Sequence, residues 1–473
     1  MKRKNIIVLL LDTARVSDAY DSRVMPTVSY LARSASVYSN AIAPGTWTAT
    51  SHAALFTDRR VSAIPQVSRD FFRCRPGIDP WLVRLKFLPS NAETLAGKIS
   101  KQGYSSMLLS NNPFLTSFTN IATGFDKMYD IWMDSNLKYN KSLVDKVSFI
   151  INGGARARER MYAVTGALTR LMPRPVLDSL YLRLRNRLAR GVSSADGTYR
   201  LDRGASDALR TLKHYLAYDY AYNPNFIFMN FIEPHENYPA GKSVLQDKWL
   251  YLSGIAKMTE DVTNRLHAAY QKRLHYLDGI VKETIEALKV RGLLDDAVVV
   301  LASDHGQLFG EHNLLYHALP PYAGIAQVPL VVANYESGRL VKEHERVDST
   351  VSLLGIHRAL LGVASGKEAP FDCLKKEAYA VSEHTGICEG WDEHLLSMLK
   401  GRSSYAMRIY KAKSFWNRSA TSIFHGNLEL MHFFDNRKDE LYDLEKDPGE
   451  RSNIIDSNRS VANEILRRAD LAA

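Results

Sequence analysis

The chain reads as an α/β sandwich, with a mainly parallel central sheet flanked by helices and a smaller α+β subdomain at its C-terminal end. Three observations predict this. The runs Asn5-Ile6-Ile7-Val8-Leu9-Leu10-Leu11 and Ala297-Val298-Val299-Val300-Leu301-Ala302-Ser303 are too apolar and β-branched for strands with one wet face. Strand-like and helix-like stretches alternate between and beyond these runs, as in βαβ units. After about Gly366 that rhythm gives way to short strands and a closing helix. With 473 residues the chain exceeds one usual hydrophobic core, so a large domain (1–365) and a smaller unit (366–473) are expected.

In order, the run 5–11 is the first core strand and stops at Asp12. A helix is predicted over Pro26–Ala35 and a strand over Ser36–Ala43. Pro44-Gly45-Thr46-Trp47-Thr48 is a turn, followed by a helical stretch over Ser51–Phe56. A helix near Asn91–Gln102 precedes a strand over Ser105–Leu109. Residues 135–205 break the rhythm as a helical, arginine-rich insertion. A strand over Phe226–Ile232 and a long helix over Thr259–Val290 lead to the strand that ends at Asp304, and Val328–Val332 is a further strand. In the C-terminal unit, strands are expected at Ala378–Ser382 and Tyr405–Tyr410 and a helix from Val461.

Two of these strands deliver a carboxylate at their C-terminal ends, Asp12 and Asp304, where open α/β sheets place their binding crevices. His305 follows directly, and carboxylates with an imidazole suit Mg²⁺, Mn²⁺, Ca²⁺ or Zn²⁺. Thr48 sits in a turn before a helix, where backbone N–H groups favour an anion, although a lone threonine there is more often a helix cap. His235, just after the Phe226–Ile232 strand, and His317, twelve residues beyond His305, are the imidazoles available to neutralise or protonate an ester oxygen.

Taken together, Asn5 to Arg15, Thr48 to Thr57, Asn230 to His235, Ser303 to Gly306 with Gly310-Glu311-His312, and Leu441 to Glu450 resemble the sulfatase family of the alkaline phosphatase-like superfamily. The resemblance implies that Asp12, Thr48, Asp304 and His305 hold one divalent metal ion (Mn, Mg, Ca or Zn). It also implies that Thr48 occupies the nucleophile position and that His235 and His317 contact the ester group. Two departures matter. Sulfatases carry a cysteine or serine that is matured to formylglycine within a Cys-x-Pro-Ser-Arg pattern, whereas this chain has Thr48-Ala49-Thr50-Ser51-His52. Asp12-Thr13 also stands where many members have paired aspartates. Threonine resembles the phosphodiesterases and the phosphoglycerol and phosphoethanolamine transferases of the superfamily. The expected function is therefore a hydrolase or transferase of phosphate esters, phosphodiesters first. A sulfuric ester hydrolase acting on sulfated glycans or small molecules is the alternative. A catalytically silent anion-binding member is the rival from another class.

Composition adds bounds. With 45% hydrophobic and 24% charged residues the chain is that of a globular protein. Cys74, Cys373 and Cys388 are too widely spaced for a metal knuckle and odd in number, which speaks against a disulfide framework. Met1-Lys2-Arg3-Lys4 and the apolar run after it imitate a leader, but the run is short and lacks a cleavage site, so a cytoplasmic location is expected. Of the net charge of +10, residues 151–190 supply nine arginines against Glu159 and Asp178, or 9 − 2 = +7. That segment is expected to be a lid with solvated arginines, or a contact for an acidic glycan or a membrane surface. No nucleic-acid module accompanies it. The expected partner is an anionic ester, on a glycan or a lipid head group, and the oligomeric state is not legible.

Overall fold

A computed structural model describes residues 3–64, 87–89, 91–116, 119–131, 201–218, 224–241, 244–386 and 404–470, with the side chains of 404–407 and 410 excepted. The arginine-rich 151–190, most of the 135–205 insertion, Cys74 and Cys388 lie outside the described residues.

The strands are β1 (Asn5–Leu11), β2 (Ser36–Ile42), β3 (Ser105–Ser110), β4 (Lys127–Asp130), β5 (Asn225–Phe231), β6 (Asp296–Ala302), the short hairpin β7 (Leu308–Phe309) and β8 (Leu315–Tyr316), β9 (Gln327–Glu336), β10 (Arg339–Leu340) and β11 (Arg346–Ser352). The main sheet runs β11-β2-β9-β6-β1-β5-β3-β4, with β10 on β9. β9 is antiparallel to both of its neighbours on this path, and the other adjacent pairs are parallel. This is the mainly parallel sheet that the sequence predicts.

The period-2 alternation of a strand decides its two cores. Ile7, Leu9 and Leu11 of β1 face one apolar cluster, with the helices Pro26–Ser34, Ala205–Tyr218 and Glu260–Val290. Ile6, Val8 and Leu10 face the other, with Thr48–Thr57, Leu95–Ser100 and Gly355–Ala364. Helices thus cover both faces, which explains why β1 and β6 carry no polar alternation. Each such side chain, fully buried, stabilises the fold by about 1.5–3 kcal/mol relative to exposure. The Pro44-Gly45 turn brings the Thr48 helix close to its own approach: a Cβ on Gly45 would lie 2.5 Å from Thr50 Oγ1 and 2.9 Å from the Ser51 nitrogen.

A second, antiparallel sheet of β12 (Ala380–His384), β13 (Ala420–His425), β14 (Leu428–Phe433) and β15 (Glu440–Asp443) lies C-terminal, with the helix Arg459–Arg468 packed beside it. One expectation fails here. Residues 405–410, read as a strand, belong to the helix Ser404–Trp416. Six residues cannot distinguish the two periods, and the run extends to thirteen with buried Ala412 and partly buried Trp416 four apart. Smaller shifts occur at strand and helix ends, such as β12 at 380–384 rather than 378–382. Among the described residues, no helix is long and apolar enough to cross a membrane.

Candidate metal and ester site

The register of the central strands builds the site. β1 pairs with β6 through Leu10 and Ala302, so Asp12 and Asp304, each two residues further on, emerge side by side at the C-terminal edge. Beyond β1 the chain turns sharply. Thr13 takes a φ of 62°, unusual for a β-branched residue, and its N–H donates to Asp304 Oδ1 at 3.3 Å. The turn is held from the long helix by Tyr270, whose hydroxyl donates to the Thr13 carbonyl (3.0 Å) and accepts from the Arg15 N–H (2.9 Å).

Thr48 is the first residue of the helix Thr48–Thr57, and the cap position belongs to Trp47. The cap reading of Thr48 is thereby set aside. Its Oγ1 donates to Asp12 Oδ2 at 3.2 Å instead. Ser51 Oγ donates to the Asp304 carbonyl at 2.6 Å, tying the helix to the loop after β6. His305 Nδ1 donates to the Gly306 carbonyl (3.0 Å), which fixes the tautomer and turns the lone pair of Nε2 toward Asp304 Oδ2 (3.5 Å) and Asp12 Oδ1 (3.9 Å). His52 repeats the pattern, with Nδ1 on the Thr48 carbonyl (2.9 Å).

The donor set fits a cation. Asp12 Oδ1, Asp304 Oδ2 and His305 Nε2 are buried and lack hydrogen-bond partners among the described residues, yet lie within 4.8 Å of one another. Burial, then the Asp304 charge, pushes the Asp12 carboxyl up to about 6. Burial pushes Asp304 up to about 7 and holds His305 below its ordinary range. Two carboxylates in a dry pocket are short of positive charge, and a divalent ion supplies it.

His235 and His317 reach the same rim. Their rings are 4.7 Å apart, and His317 lies 4.5 Å from the His305 ring, centroid to centroid. Burial holds His317 well below its ordinary value. The structure therefore brings together all six residues singled out in the sequence. It also adds Asn112, whose amide donates to Asp12 Oδ2 at 2.6 Å and faces Thr48 Oγ1 at 3.4 Å. Its signal was available: Asn111-Asn112 follows the buried strand β3, much as Asp12 follows β1. By contrast, the Gly310–His312 segment serves the framework. Glu311 pairs with Arg15 at 2.8 Å, and His312 stacks on Tyr322 at 3.7 Å while facing Glu450 Oε2 at 3.3 Å.

A family model described as Sulfatase matches residues 4–365. An arylsulfatase of Clostridium perfringens (strain 13 / Type A) is 27% identical over 197 residues, 41% of this chain and 36% of that protein. Arylsulfatase K of Canis lupus familiaris is 26% identical over 211 residues, 42% and 35% respectively. The chain thus spans about a third of the length of these curated relatives. The fold is similar to that of a phosphonate monoester hydrolase of Agrobacterium radiobacter (TM-score 0.62, 17% identity, 99% of this chain and 94% of that one). It is also similar to that of a 2-O GAG sulfatase (TM-score 0.59, 15% identity, 99% and 93%). With the match running from β1 through the whole main sheet, the chain belongs to the sulfatase family.

Proposed function

We propose that this protein is a metal-dependent hydrolase of anionic tetrahedral esters, with sulfate esters as the first reading. The observation that carries it is the buried, partnerless set Asp12 Oδ1, Asp304 Oδ2 and His305 Nε2 beside the Thr48 hydroxyl at the start of a helix. Asp12, Asp304, His305 and Thr48 would hold one divalent ion, which when bound polarises the ester and offsets the two carboxylates. Thr48 Oγ1 supplies the nucleophile: its oxygen bonds to the central sulfur or phosphorus, the ester's alcohol departs, and water later cleaves the threonyl ester. Asn112 and Asp12 orient that hydroxyl. The first N–H groups of the Thr48–Thr57 helix favour the anionic oxygens. His235 and His317, on the same rim as His305, would contact the ester.

Sulfate takes first place because the family and the similar curated proteins are sulfatases, which displaces the phosphodiester from the lead it held on sequence alone. Phosphate or phosphonate esters are the second reading, favoured by the unmodified hydroxyl of Thr48. A sulfated glycan is the natural substrate class under the first reading, given a solved relative that is a 2-O GAG sulfatase. The test is turnover of an aryl sulfate, an aryl phosphate, an aryl phosphodiester and an aryl phosphonate with Mg²⁺, Mn²⁺, Ca²⁺ or Zn²⁺, in native protein and Thr48→Ala. Metal-dependent turnover abolished by Thr48→Ala is expected, and the preferred ester decides between the readings. Full turnover in Thr48→Ala would overturn the nucleophile, and no turnover of any ester by metal-loaded protein would overturn the proposal.

A further inference from the structure

Beyond Phe231 the chain leaves β5 and enters the loop that carries His235. The ladder between β1 and β5 ends where the Asp12 N–H donates to the Phe231 carbonyl at 3.0 Å. The carbonyls that follow lie past the strand ladder, so their partners must come from elsewhere. Two guanidinium groups supply them. Arg203 Nη1 faces the carbonyls of Ile232 (3.2 Å), His235 (2.9 Å) and Glu236 (3.2 Å). Arg273 Nη1 faces those of Glu233 (3.1 Å) and His235 (2.9 Å). We propose that Arg203 and Arg273 are positioning residues for ester cleavage, a two-pronged clamp that fixes the backbone of residues 232–236 and through it the orientation of the His235 imidazole. Its meaning for turnover rests on the ester chemistry proposed above.

Three observations carry it. First, the clamp reaches the carbonyl that sets the His235 ring. His235 Nδ1 lies 2.8 Å from the Glu236 carbonyl, which can only accept, and also faces Glu236 Oε2 at 3.2 Å. The proton is thereby placed on Nδ1, and Nε2 with its lone pair is the nitrogen left for the ester. Arg203 bonds the same Glu236 carbonyl, so the guanidinium holds the acceptor that fixes the tautomer.

Second, the Arg273 prong stands on a rigid mount. It is buried on the long helix Glu260–Val290, three residues after Tyr270, whose hydroxyl holds the Thr13 turn. Residues three apart share a helix face, so one face of one helix sets the loop after β1 and the loop after β5 against each other.

Third, the Arg203 prong is itself tied to the loop it holds. The N–H groups of Arg203 and Ala205 donate to Glu233 Oε1 at 3.0 and 2.8 Å. Asn111 Nδ2 donates to both Glu233 oxygens, at 2.9 and 3.0 Å, while its Oδ1 accepts from the Ile232 N–H at 2.8 Å. Asn111 adjoins Asn112, which holds Asp12, so the clamp is continuous with the group that orients Thr48. Bonds from a charged donor are roughly twice as strong as neutral ones, and an ammonium lacks the planar fork that reaches several carbonyls at once.

The test is steady-state turnover of the preferred aryl ester by the full, metal-loaded chain, in Arg203→Met, Arg273→Met, Arg203→Lys, His235→Ala and Arg203→Met with His235→Ala. In each Met variant kcat is expected to fall about 100-fold, the loss that a misplacement of about 1 Å brings, with KM within about threefold of native. Metal content by elemental analysis is expected to be unchanged. In the His235→Ala background Arg203→Met is expected to cost less than about twofold more, since no imidazole remains to orient. Arg203→Lys is expected to recover only part of the loss. An equal loss in both backgrounds would show a general structural role and overturn the proposal, as would native kcat in both Met variants or full recovery in Arg203→Lys. If Arg273→Met does not fold, Arg203→Met, at the less buried prong, carries the test. Histidine ¹⁵N spectra, with the His235 signal assigned by its loss in His235→Ala, read the clamp without turnover. Native protein should show a ring protonated on Nδ1, and Arg203→Met a mixture of tautomers; an unchanged ring in the variant would overturn the clamp. Absence of ester turnover in native, metal-loaded protein would overturn the proposed function, and the spectra would still decide the clamp.

Discussion

Replacing Asp304 with asparagine separates the cost of a buried carboxylate from the cation it holds. Asp304 is fully buried, and burial lifts its carboxyl from 3.8 to about 7. At about 1.4 kcal/mol per pKa unit, ionising it in cation-free protein costs on the order of 4 kcal/mol. The folded carboxyl holds its proton to higher pH than the unfolded one. Between about pH 4 and 7 the folded state therefore binds the extra proton, and cation-free stability falls as pH rises through that window. Asparagine keeps an Oδ1 acceptor for the N–H groups of Thr13 and His305. Its new amide N–H points toward His305 Nε2, an acceptor now 3.5 Å from Oδ2. In chelator at about pH 8, Asp304→Asn should be more stable than native by up to about 4 kcal/mol, a gap that closes near pH 4. Added divalent cation should stabilise native protein strongly and the variant little. The assay is urea unfolding followed by tryptophan fluorescence, with and without chelator, across this pH range. A variant less stable than native in chelator at pH 8, or native stability that stays flat from pH 4 to 8, would refute the reasoning.

Three further substitutions probe the neighbouring contacts. Asn112→Ala removes the 2.6 Å hydrogen bond to Asp12 Oδ2. With charged acceptors worth about 1.5–3 kcal/mol, kcat/KM against the preferred aryl ester should fall about 10- to 150-fold with the unfolding midpoint nearly kept. Tyr270→Phe leaves the Thr13 carbonyl and the Arg15 N–H without the hydroxyl that bridges them. It should destabilise the fold by about 1–3 kcal/mol and weaken cation binding, read by calorimetric titration. Gly306→Ala places a Cβ 2.4 Å from the Gly324 carbonyl oxygen. The forced shift should displace His305 and lower both the thermal midpoint and the metal content by elemental analysis, whereas Gly279→Ala in the long helix, whose Cβ meets nothing within 4 Å, should leave the metal content unchanged.

Much of this site can be read from local sequence. Strands β1 and β6 announce themselves because burial on both faces demands unbroken apolar, β-branched runs. The first polar residues beyond them, Asp12 and Ser303-Asp304, mark the sheet's C-terminal edge. Other features are silent locally. Tyr405–Tyr410 reads as a short apolar strand over six residues and becomes helix because its neighbours continue a helical run packed on the C-terminal core. Thr48 looks like a cap and is instead aimed at Asp12, since Trp47 takes the cap position. Gly306, which ends the Ser303 to Gly306 segment, is required by the approach of Gly324.

Local sequence determined the principal strands of the main sheet and several of the helices around it, because hydrophobic period and β-branching act over ten residues or fewer. It also singled out polar residues at strand ends that the structure brings together. Which of those ends meet was decided by the strand order β6-β1-β5-β3, which pairs strands that lie from about a hundred to nearly three hundred residues apart in the chain. That order sets Asn112 against Asp12 and brings His235 and Glu236 to His317. No local pattern encodes such meetings, because they follow from burying both faces of one shared sheet.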